Sequence, residues 1–158
     1  MPSRLRSGLK SILLGGFIAG TVDIGAAALI NLISPIVILR YVAVGVLGRR
    51  SLDMGMTSAV LGMLLQWAMS ILIAAVFVLA TRPLPAIRRH WTTSGLAYGV
   101  IVFFVMNYVV VPLSAVGRLP RFTTASFAEN MLAMLLFGVI VAYFAREPLR
   151  ASAAIRFK

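Results

Sequence analysis

Four long apolar stretches, set apart by short arginine-bearing segments, leave this chain few choices of fold. A helix needs roughly 20 mainly apolar residues to cross about 30 Å of hydrocarbon at 1.5 Å per residue. The stretches at about 11–33, 57–80, 92–111 and 126–145 meet that requirement. Each ends at a helix-breaking signal: Ser34-Pro35, Arg82-Pro83, Pro112 and Arg146-Glu147-Pro148 in turn. Proline has no N–H to donate and disfavours helical geometry in the residue before it. The expected fold is all-α, an integral membrane four-helix bundle that forms one transmembrane domain over residues 1–158.

Composition agrees. Of 158 residues 61% are hydrophobic and 12% charged, too little polar surface for a soluble domain. The net charge is +11, from 15 Lys/Arg against 4 acids. In a soluble protein such a balance points to nucleic acid. Here the basic residues punctuate the apolar runs instead of forming one face, which suits anionic headgroups. The lipid bilayer is the expected partner, and nucleic acid is not. The absence of cysteine excludes disulfides, thiolate metal sites and Cys nucleophiles. Arg4, Arg6 and Lys10 before the first run imitate a signal peptide, but the run outlasts an apolar region of roughly 7–15 residues. It reads as a retained membrane helix.

Ile36 to Gly48 is apolar but short, and Arg40 interrupts it. That length suits a short interfacial or re-entrant helix between helices 1 and 2. Four spans put Arg4, Arg6, Lys10, Arg82, Arg88, Arg89, Arg146, Arg150, Arg156 and Lys158 on one side. Arg40, Arg49, Arg50, Arg118 and Arg121 fall on the other. Positive charge is retained in the cytoplasm, so both termini are expected there, in a bacterial inner membrane.

Asp23 is the most informative residue, because it falls near the middle of helix 1. A carboxylate at that depth costs about 2.5–3.5 kcal/mol on insertion scales, so it must face protein or water, or stay protonated. Gly16, Gly20, Asp23 and Ala27 share a helical face, and Gly16-x-x-x-Gly20 is a close-packing pattern. Asp23 is therefore expected to point into the bundle, either as a proton-titrating or cation-binding group or as a structural one, with Thr21 near enough to help satisfy it. Gln66, on a face with Ala59, Gly62 and Ser70, joins Asn107, Glu129 and Asn130 between the midplane and the outer side. Together they suggest a polar pocket; alternatively the amides are interhelical hydrogen-bonding glue.

Gly95-x-x-x-Gly99 marks a second close-packing face, on helix 3. Phe103, Phe104 and Tyr108 read as a lipid-facing or packing surface, and Tyr98, Trp91 and Tyr143 as aromatic-belt residues. The eight methionines read as fillers of irregular gaps, with no repeated copper-type motif. His90 stands alone among arginines, at headgroup level, so no two-histidine haem, tri-histidine zinc or Ser/His/Asp set is available. Arg49, Arg50, Arg88 and Arg89 are candidate contacts for lipid headgroups. No metal or cofactor is expected.

Gly15-Gly16-Phe17-Ile18-Ala19-Gly20-Thr21-Val22-Asp23, then Gly45-Val46-Leu47-Gly48, Leu61-Gly62, and Tyr98-Gly99 through Met106-Asn107 to Pro112-Leu113-Ser114 resemble the small four-helix bacterial inner-membrane proteins of the YagU-like group. The resemblance covers about residues 11–146 and implies fold and location, but no activity. The group's pattern often carries a histidine where Gln66 stands and another near Ala133; both are missing here. The resemblance implies a role for Asp23 and Asn107 alone.

Three functions suit these features. The first is a non-enzymatic accessory or structural subunit of a larger membrane complex, or a homo-oligomer, motivated by the two small-residue faces and the lack of catalytic groups. The second is a small proton-coupled transporter or channel using Asp23. The third is a scaffold that contacts lipid, quinone or pigment.

Overall fold

The computed structural model describes residues 2–146, with side chains from Arg6 onward. Arg150, Arg156, Lys158 and the side chain of Arg4, all used above for orientation, lie outside the described residues. Among the described residues all regular structure is helical. The order is α1 (Pro2–Asn31), α2 (Pro35–Leu47), a 3-10 segment (Gly48–Asp53), α3 (Met56–Thr81) and the short α4 (Pro85–Arg89). Then come α5 (Trp91–Val105), which continues through a π-helical turn (Met106–Val110) and Val111–Leu113, and α6 (Thr124–Ala145). Four helices, at Arg6–Asn31, Met56–Thr81, Trp91–Leu113 and Thr124–Ala145, are long and apolar enough to cross a membrane. The chain is a multi-pass membrane protein, and helices suit that solvent because they satisfy their own backbone groups.

Local chemistry explains the ends. Ser34 caps α2 by accepting from the Ile36 N–H, with Pro35 in the first turn, where its missing N–H costs nothing. Thr123 and Ser126 cap α6 reciprocally, each side chain taking the other's backbone N–H. The 3-10 segment opens at Gly48 (φ 68°), and Gly55 (φ 62°) leads into α3; glycine tolerates this left-handed geometry.

Two helix limits differ from the hydropathy reading. Helix α1 begins at Pro2 instead of near Ser11, because hydropathy marks entry into hydrocarbon and not the first helical turn. The third span ends at Leu113, one residue past Pro112, but not as a plain α-helix. Its last turns widen, and the Val111 N–H donates to the Met106 carbonyl five residues back. Proline cannot bond the carbonyl four residues before it and crowds it; the π turn re-registers the helix ahead of the ring.

Helix α1 packs against both α3 and α6, and α6 packs against α5. These approaches run over glycine. Gly16 meets the backbone of Ile71, and Gly20 lies under Ser70 Oγ. Gly95 and Gly99 meet the α6 backbone at Gly138, Val139, Met134 and Leu135. Gly138 completes this contact from the other side and has no counterpart in the sequence reading. The short helix is present as expected, and it packs along the first half of α3. The Leu39 carbonyl of α2 rests directly on Gly62, and Leu39, Ile24 and Ala59 form a small cluster. Ala115, after α5, donates its N–H to Gly45 O at 2.9 Å and ties the far end of α2 to that span. The main core is Ala19, Ala74, Phe77, Val78, Phe137, Val141, Ala142 and Ala145.

A methyl group at Gly138 would collide with the Gly95 and Gly99 backbone, whereas Gly25 faces open space. Gly138→Ala is expected to cost about 1–3 kcal/mol, as overpacking does. Gly25→Ala should leave stability unchanged or slightly raised. Thermal unfolding in detergent checks both, and equal melting of the two variants would contradict this packing.

Candidate functional site

Asp23 does point into the bundle. Gln66 Nε2 of α3 donates to Asp23 Oδ2 at 2.8 Å, and this is the carboxylate's one hydrogen bond among the described residues. The shared face of Gly16, Gly20 and Asp23 brings it there: the two glycines let α1 settle on α3, and the carboxyl meets the amide one step further along. The other described acids lie elsewhere, Asp53 in the 3-10 segment and Glu129 exposed in the early turns of α6.

The pair borders a central cavity of about 40 Å³. Asp23 comes from α1; Gln66, Met69, Ser70 and Ile73 from α3; Val102 and Met106 from α5; Met134 and Phe137 from α6. All four spans thus contribute. The space admits a few small particles of water size but no organic molecule, which needs roughly 300 Å³ or more. A wider concavity of about 730 Å³ lies on the loop after α5, lined by Val111, Val116, Arg118, Leu119, Pro120 and Arg121. It is open, shaped by one end of the molecule, and far in sequence from Asp23.

The remaining polar candidates do not join this site. Asn107 Nδ2 donates to Phe103 O at 2.9 Å and Asn130 Nδ2 to Ser126 O at 2.7 Å, each within its own helix. They are neither a shared pocket nor interhelical glue; a carbonyl one turn back is the nearest acceptor for a short amide. Thr21 also turns from Asp23. It donates to Phe17 O and accepts from Trp67 Nε1 at 3.2 Å, with Phe17 against Trp67 at 4.6 Å between centroids. Tyr98 is no belt residue: its hydroxyl crosses to Ile73 O of α3 at 2.7 Å, and its ring meets Phe77. Phe103 is buried against Phe122 and Phe127, while Phe104 and Tyr108 are exposed as expected.

At the end shared by Lys10, Arg82 and Trp91, the Arg146 guanidinium lies over the Trp91 and Tyr143 rings at 4.6 and 3.8 Å. Such cation–π stacking suits the headgroup level. Arg82 rests against Gly8 of α1. Arg88 is half-buried, its Nε has no partner among the described residues, and burial, then the nearby Arg82, lowers its pKa from the usual value. Arg89 and His90 are exposed, as are Arg49 and Arg50 near the opposite end. Among the described residues no three of His, Asp or Glu come together to hold a metal ion.

No family model, curated protein or solved structure matches this chain.

The Asp23–Gln66 bond is testable by itself. A double-mutant cycle of Asp23→Ala and Gln66→Ala, read by thermal unfolding in detergent, should give a coupling of about 0.6–1.7 kcal/mol, the range of such bonds in membranes. A coupling of zero would place the two side chains apart.

Proposed function

We propose that this chain is a non-enzymatic membrane protein that takes up and releases a proton or another small monovalent cation at Asp23. The observation that carries this reading is the choice of partner. An amide satisfies one carboxylate lone pair but leaves the charge whole, and among the described residues no Lys or Arg lines the cavity. An uncompensated carboxylate inside a bilayer is expensive, so the site is complete only with one positive charge added. The cavity beside it is of a size for such an occupant and too small for quinone or pigment. The Lys/Arg distribution supports both termini in the cytoplasm, and the sequence resemblance is what suggests a bacterial inner membrane.

The subunit reading loses part of its motive, because both small-residue faces are occupied within the chain. One observation still favours a protein neighbour: exposed Phe17 and Thr21 form a polar–aromatic patch with half-buried Trp67 well inside two spans. A photo-crosslinker at Phe17 in native membranes should trap a second copy or a partner; trapping lipid alone removes that reading.

Reconstitution into vesicles under an imposed pH or cation gradient tests the main proposal. The parent should conduct, and Asp23→Asn should lower the flux at least tenfold while keeping the helical fold. An inactive parent, or equal flux in both, would sink it.

A further inference from the structure

The central cavity is lined by two chemistries. Asp23, Gln66 and Ser70 form its oxygen- and nitrogen-bearing wall, from α1 and α3. Met69, Met106 and Met134 line it from α3, α5 and α6. Methionine ordinarily fills irregular gaps in a core. Here three converge from three helices and a space of about 40 Å³ remains where they meet. Thioethers accept hydrogen bonds only weakly, so they are poor hosts for water. They are good ligands for soft monovalent metal ions.

We propose that this cavity binds one soft monovalent cation of the Cu(I) or Ag(I) class, with the thioethers of Met69, Met106 and Met134 as ligands and the Asp23 carboxylate as counter-charge. The proposal rests on the reading of Asp23 as a cation-handling group and names the cation. Charge decides the valence: one carboxylate neutralises one monovalent ion, whereas a divalent ion would remain half-compensated at membrane depth. Ligand type decides the class: hard cations such as Ca²⁺ prefer six to eight oxygens, which this lining does not offer.

The test is binding of silver(I) nitrate to the purified full chain in detergent, in chloride-free buffer. One equivalent should bind saturably, and the silver K-edge absorption spectrum should show sulfur neighbours. Replacing all three residues (Met69→Leu, Met106→Leu, Met134→Leu) should weaken binding at least tenfold. The pair Met63→Leu and Met131→Leu, which does not line the cavity, should leave it unchanged. Asp23→Asn should weaken it as well. Each single Met→Leu change, read alongside its melting curve, covers the case in which the triple variant misfolds. No saturable binding, only oxygen or nitrogen neighbours, or undiminished affinity in variants that melt as the parent does would overturn the proposal. Binding in detergent is independent of flux in vesicles: silver binding without flux would sink the transport reading alone, and flux without silver binding would sink this one alone.

Discussion

Lipid tails are as apolar as the side chains that face them, so burying leucine gives these helices little reason to associate. Close approach of backbones has to supply the attraction through many short van der Waals contacts, and a Cβ stands in the way at most positions. The bundle is therefore organised around the places where no Cβ exists. Gly16 and Gly20 bring α1 onto α3; Gly95, Gly99 and Gly138 bring α5 onto α6; Gly62 lets the α2 backbone touch α3. The Asp23–Gln66 pair lies on the face of α1 that the Gly16 and Gly20 contacts bring against α3.

One consequence is unevenness. Helices α3 and α5 have no glycine contact between them and stand further apart than the other packed pairs. Long side chains cross the difference: Tyr98 reaches the Ile73 carbonyl, and Met69 and Met106 approach from the two sides. The central cavity lies among all four spans, and Asp23 reaches it because it stands one step beyond Gly20 on the same face of α1. The position of the acid and the position of the space are thus two results of one packing arrangement.

Much of this was legible in the residue order. The four spans follow from hydropathy, the inward face of α1 from the spacing of Gly16, Gly20 and Asp23, and the short helix from a run too brief to cross. What could not be read was which partner each face would choose. The sequence places Gln66, Asn107 and Asn130 at comparable depth, yet only the longer glutamine reaches across to another helix, while both asparagines bond back one turn. Side-chain length was the available signal. Gly138 was overlooked because it has no second glycine four residues away to complete a pattern. Its partners lie on α5, and only the fold sets them opposite one another. The π turn has no sequence signal of its own, because a helix ends near a proline equally well after an ordinary α turn.

The electrostatics of the central layer tie its two candidate occupants together. Had Arg or Lys stood at position 66, Asp23 would be neutralised permanently, and the site would be a structural ion pair. With glutamine there, the carboxylate holds its position through one hydrogen bond and its charge stays open to exchange. A proton and a soft metal ion would each supply the same single positive charge to the same group. Protonation removes the counter-charge a bound metal needs, so the two occupants exclude one another at a site with one carboxylate. In the proposed site a proton and a soft cation would therefore compete for the one carboxylate.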